Sequence, residues 1–157
     1  MNAQLSAEIR GVLIQVEDAR LLLPNATISE VLTFANPEPV EGAPGWILGR
    51  IWRGWQLPLV SFSRLAGLAD EEGELGSKVV VLKSLGGDPR APFFALLTRG
   101  FPRLVTVSRE RLVLDADEQS GLPEVVSAKV TLNEDEAWIP DLAKIEAAVA
   151  EALHVTA

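Results

Sequence analysis

Residues 53–68 read RGWQLPLVSFSRLAGL, and this stretch decides the architecture. An Arg-Gly turn leads into a strand-like run, WQLPLVSF, which passes into SRLAGL, one helical turn with Ser63 as its expected cap and Gly67 closing it. Pro58 has no backbone donor, so it is expected at a sheet edge or a bulge. Just upstream, ILGRIW (47–52) alternates in the same way, and the two runs predict a hairpin turning at Arg53-Gly54. The pattern of Trp, then Pro, then helix returns at 137–149 as AWIPDLAKIEAAV. Two similar halves are therefore suggested, though the echo is too degenerate to prove duplication.

Outward from this stretch the chain reads as short strands. IRGVLIQVE and RLLLP form an N-terminal hairpin around the polar turn 17–19, and NATISEVLTF is a short turn running into a strand. ANPEPVEGAPGW, with Pro37, Pro39 and Pro44, is an ordered loop. ADEEGELGS (69–77) is acidic and glycine-punctuated; it reads as a solvated loop and as the internal boundary. KVVVLKSL is apolar enough to be buried on both faces, and FFALLTRG pairs with it across the GGDP turn. PRLVTVSRERLVLD supplies another strand and a turn; EVVSAKVTL and AWIPDL are the last strands, turning at NEDE (133–136). LAKIEAAVAEAL is an amphipathic helix with Leu142, Ile145, Val149 and Leu153 on one stripe. The expected fold is mostly β: two small β-barrels sharing a core, with short helices and a C-terminal helix.

Composition narrows function. The chain has 157 residues and a formal net charge of −8, which argues against nucleic acid or an anionic lipid surface as partner. There is no Cys, so disulfides and thiolate metal sites are excluded, and the one histidine, His154, lies near the C-terminus. The N-terminus lacks the pattern of a signal peptide and no apolar run approaches bilayer length, so a cytoplasmic protein is expected. The carboxylates at 70–74 and 134–136 do not follow calcium-loop spacing, and Asp115, Asp117 and Glu118 share a single loop. Gly86-Gly87-Asp88-Pro89 lacks the Lys-Ser/Thr and helix of a phosphate loop. No catalytic constellation, cofactor or metal site is expected. Arg53 among Trp52 and Trp55 requires a carboxylate or a cradle of carbonyls for its charge, unless it snorkels to water with its stem on Trp55, and Arg and Trp are the types that dominate binding hot spots. An alternative is a ligand- or peptide-binding barrel in which Trp52 and Trp55 line an aromatic cage.

In order, LLLPNATISEVL, NPEPVEGAPGWILG and RGWQLPLVSFSRLAGL resemble the first half of CheW-like chemotaxis coupling domains. The matching residues are Ile28, Glu30, Val31, Pro44, Trp46, Gly49, Arg53, Gly54 and Pro58. SKVVVLKSLGG and AWIPDLAKIEAAVAEAL resemble the later parts more loosely. The resemblance implies a single CheW-like domain over 1–157, built from two five-stranded SH3-like barrels, one at about 21–68 with contributions from both termini and one at about 78–140. It implies a non-catalytic adaptor joining the cytoplasmic tips of chemoreceptors to the regulatory domain of a CheA-type histidine kinase, recruited to membrane-associated arrays. Ile28, Glu30, Val31, Trp52, Arg53, Gly54 and Trp55 are the expected protein contacts, with a Glu30–Arg53 ion pair ordering the turn. The chain departs from the family in four places: only Arg50, Ile51 and Trp52 separate Gly49 from Arg53, Ile51-Trp52 replaces Asn-Leu, Ser61 stands where Asp is common, and the second half lacks the usual Gly and Asp spacing around 98–107. These departures suggest a specialised coupler, such as those of systems governing type IV pili and twitching.

Overall fold

A computed structural model describes residues 8–52, 56–85, 93–108, 110–114 and 121–156, with side chains as far as Leu153. Alternating and β-branched runs become strands β1 (Glu8–Val16), β2 (Ala19–Pro24) and β3 (Ile28–Thr33). The first two turn at Asp18, whose φ of 62° is a left-handed conformation that Asp tolerates. β4 (Ile47–Trp52) pairs antiparallel with β5 (Gln56–Val60), as expected of a hairpin. A short helix α1 (Phe62–Leu65) follows, and then β6 (Lys78–Lys83) and β7 (Phe93–Thr98). The chain continues through β8 (Arg103–Ser108), β9 (Leu112–Leu114), β10 (Val126–Leu132) and β11 (Asp135–Pro140) into α2 (Leu142–Thr156).

The strands form two sheets, ordered β3-β6-β7-β5-β4 and β8-β1-β2-β11-β10-β9. Apart from β9, the two sheets share one plan. An edge strand (β3 or β8) pairs with a hairpin (β6–β7 or β1–β2). That hairpin meets the second strand of another hairpin in the sheet's one parallel pairing, β5 with β7 or β11 with β2. Each parallel strand, β5 or β11, then runs into a helix. The Trp-Pro-helix echo in the sequence marks these equivalent strands. Cut at the acidic loop, each half of the chain has the order hairpin, strand, hairpin, helix, and the halves exchange their leading hairpins: β1–β2 joins the sheet of the second half and β6–β7 that of the first. Residues 69–77 therefore separate the repeats, but sheet membership differs from the expected division at 21–68 and 78–140. The cause is the hairpin exchange, which a linear boundary does not express.

The sheets are walls between three apolar layers. Val80, Leu82, Phe94, Leu96 and Val60 turn one face of the five-stranded sheet toward Val12, Ile14, Leu21 and Leu23 of the other sheet, forming a shared core. The alternate residues Val79, Val81, Ala95, Leu97, Leu57 and Leu59 fill a separate cluster on the opposite face. Leu13, Leu22, Val130, Leu132 and Ala137 do the same within the six-stranded sheet. β6 is accordingly buried on both faces, as its unbroken apolar run predicts. The stripe of α2 closes the shared core through Leu142, Ile145 and Val149, with Leu153 packed against it.

Three local expectations change. Ser61, not Ser63, caps α1: its hydroxyl accepts from the Arg64 amide at 3.2 Å, while Ser63 donates to the Glu17 carbonyl. Pro58 is buried on an interior strand, where β5 pairs with β7 only from Leu59 onward, so its missing N–H falls before that ladder begins. The last hairpin turns at Asn133 and Glu134, both with positive φ, and β11 already begins at Asp135.

Candidate protein interaction surfaces

Ile28, Glu30 and Val31 lie on β3, one edge of the five-stranded sheet, and Trp52 ends β4 at the other edge. Four strand spacings separate the edges, roughly 19 Å along a flat sheet. The sheet curls, however: after β3 the chain returns so that Glu38 and Arg50 exchange both backbone hydrogen bonds at 2.8 Å. Gly49 permits this contact, because its φ is 147° and a Cβ there would lie 2.5 Å from the Glu38 carbonyl oxygen. Register sorts the candidate residues by face. Ile28 and Val31 oppose Leu82 and Val80 and pack on the shared core, whereas Glu30 opposes Val81 across a bulge. All three are half-buried. Arg53, Gly54 and Trp55 lie outside the described residues, and with them the expected Glu30–Arg53 pair. The turn at 86–89, the carboxylates of Asp115, Asp117 and Glu118, and the His154 side chain lie outside them too.

Trp52 is 73 % exposed; Trp55, the other wall of the aromatic cage in the alternative reading, lies outside the described residues. Trp46 and Trp138 pack instead against the shared core. The Trp52 face of the hairpin carries Arg50 and Gln56, since strand side chains alternate and Trp52 lies opposite Gln56. Arg50 Nη1 donates to Gln56 Oε1 at 3.4 Å.

The acidic loop is not simply solvated. Glu71 is 2 % exposed, and its carboxylate accepts from the Ser61 hydroxyl at 2.7 Å and from the Glu17 amide at 2.9 Å. Burial raises its pKa above the ordinary carboxyl value, and the hydrogen bonds from Ser61 and Glu17 oppose that shift. Glu17 belongs to the β1–β2 turn and Ser61 caps α1, so one carboxylate ties the repeat junction to both sheets. Arg64 fastens the loop further, donating from Nε to the Glu71 carbonyl at 2.7 Å and from Nη1 to the Gly45 carbonyl at 2.9 Å. It also pairs with Asp70 at 3.2 Å and more distantly with Glu72 at 3.9 Å. Arg99 reaches Glu17 and Glu74 at 3.8 and 3.7 Å across a cleft of about 250 Å³. No sequence motif pointed to Glu71. Among the described residues no group of three or more His, Cys, Asp or Glu is arranged to hold a metal, and no helix is long and apolar enough to cross a membrane.

A family model described as "CheW-like domain" matches residues 10–149. The chain belongs to the CheW-like domain family. The solved structure of the scaffolding protein TtCheW from Thermoanaerobacter tengcongensis has the same fold, with a TM-score of 0.70 at 14 % identity over 85 % of this chain and 84 % of that one. No curated protein matches the sequence. The CheW-like match spans both sheets and most of α2, so it covers both repeats and not only the motif-bearing first half.

Proposed function

We propose that this CheW-like domain is a non-catalytic adaptor that couples chemoreceptors to a CheA-type histidine kinase. The observation that carries the reading is the family match over residues 10–149, on a fold shared with a protein described as a scaffold. Ile28, Glu30 and Val31 on one sheet edge, and Trp52, Arg53, Gly54 and Trp55 at the other hairpin, are the proposed contact residues. β3 and β4 are the two ends of the strand order, joined through the Glu38–Arg50 bridge, and the contact residues on these two strands can meet different partners. The finer reading is a specialised coupler of a type IV pilus system, and it rests on the departures around Trp52 and Ser61. The adaptor acts in the cytoplasm beneath a receptor array.

The test is binding of the purified chain to the regulatory domain of a CheA-type kinase and to a receptor tip, both from the source organism. Association with both supports the adaptor, and association with neither overturns it. Glu30→Ala and Trp52→Ala, each checked for native unfolding behaviour, separate the two strands: loss of different partners supports two surfaces.

A further inference from the structure

The exposed face of the β4–β5 hairpin holds an aromatic side chain and a cation whose chemistry the fold does not use. Trp52 has 73 % of its surface in water. Arg50, two residues earlier on the same face, meets no carboxylate within ion-pair distance among the described residues; its side-chain partner is the neutral amide of Gln56. Glu38 is bridged to Arg50 through the backbone, yet it closes no ion pair with it. Elsewhere Arg20, Arg64, Arg99 and Arg103 are each paired with Asp or Glu, while Arg10 and Arg111, like Arg50, meet no carboxylate among the described residues; of these three, Arg50 alone shares a strand face with an exposed tryptophan. A cation left without a carboxylate beside an exposed indole is the composition of a binding hot spot.

We propose that Arg50 and Trp52 form a docking site for an acidic segment of the adaptor's partner, one carboxylate engaging the Arg50 guanidinium and a neighbouring apolar side chain packing on Trp52. The proposal rests on the adaptor reading and specifies the chemistry of what is bound. Charge complementarity selects the occupant, because a guanidinium desolvated at an interface requires an anionic acceptor. A second copy of this chain is a poorer fit. Its acidic loop is the obvious anionic segment, but Asp70 and Glu72 already face Arg64 and Glu74 faces Arg99.

The experiment places a photo-cross-linking residue on this face in the full chain, Gln56→p-benzoylphenylalanine, in the native cell. Mass spectrometry then identifies the captured segment. The expected product is a kinase or receptor peptide with an excess of Asp and Glu and at least one large apolar residue. Adding Arg50→Glu lowers the yield roughly tenfold, and Arg50→Lys retains most of it. Thermal unfolding unchanged in each variant keeps the comparison on binding. A captured segment with an excess of Lys and Arg, a cross-link to a second copy, or an unchanged yield with Arg50→Glu overturns the proposal. So does the absence of any cross-link in a chain that still binds kinase and receptor; the adaptor reading then stands. If the unmodified chain binds neither protein, the adaptor reading fails and this inference fails with it.

Discussion

Glu71→Ala removes the acceptor that holds the acidic loop to the rest of the domain. The carboxylate receives a buried hydroxyl hydrogen bond at 2.7 Å and a partly buried amide hydrogen bond at 2.9 Å. Hydrogen bonds to a charged group contribute ~1.5–3 kcal/mol each, and truncation leaves the Ser61 hydroxyl and the Glu17 amide to find other partners. Against this, burying the charge carries a cost that disappears with the carboxylate. The net expected loss is about 2–4 kcal/mol. For a domain of this size that lowers the melting temperature by roughly 5–15 °C at pH 7. Thermal unfolding followed by circular dichroism reads it, and a loss below ~0.5 kcal/mol, the range of neutral surface changes, would refute the reasoning.

The pH dependence follows from the same site. The folded-state pKa of Glu71 lies above the ordinary value of 4.5, so the folded protein holds this proton more tightly than the unfolded chain. The proton-linked part of its contribution to stability is complete below that ordinary value and is lost as pH rises through the folded pKa, leaving the hydrogen bonds to the ionised carboxylate. Glu71→Gln cannot titrate, so the stability of wild type relative to this variant falls as pH is raised through that window. A difference that grows with pH would contradict the assignment. Ser61→Asp brings a second carboxylate against Glu71 and destabilises the domain by ~2–3 kcal/mol; Glu71→Gln in the same chain recovers much of that loss.

Gly49→Ala drives a methyl group against the Glu38 carbonyl at a positive φ, and a loss of about 2–4 kcal/mol is expected in urea unfolding. Ile145→Ala opens a cavity where α2 seals the shared core and costs ~2–5 kcal/mol in the same measurement. Trp52→Ala leaves stability within ~0.5 kcal/mol of wild type while weakening partner association, because its exposed side chain adds little to folding. Equal losses of stability and binding would assign Trp52 to the fold instead.

The strands were readable because their burial is periodic. KVVVLK has no polar alternation and divides the shared core from the outer cluster, and the LAKIEAAVAEAL stripe meets the shared core as its spacing predicts. Pro58 misled because proline speaks only for its own N–H, and pairing that begins one residue later does not appear in sequence. Of the candidate site, the placement of Val31 and Trp52 on strands was legible; Ile28, expected in the turn before the strand, instead begins β3, and the register and sheet order that make β3 and β4 the two ends of one sheet were not legible. Glu71 was hidden for a different reason. In ADEEGELGS one glutamate resembles another until Ser61 and the Glu17 amide, from distant segments, select which is buried.

The hairpin exchange makes the chain equivalent to a swapped dimer whose protomers have been fused end to end. Neither repeat alone can complete a sheet, since each sends two strands into its neighbour and receives two in return. Each half thus leaves in its own sheet a slot two strands wide, which the leading hairpin of the other half fills. The acidic junction links them covalently, and Glu71 keeps that link folded against both sheets rather than loose between them.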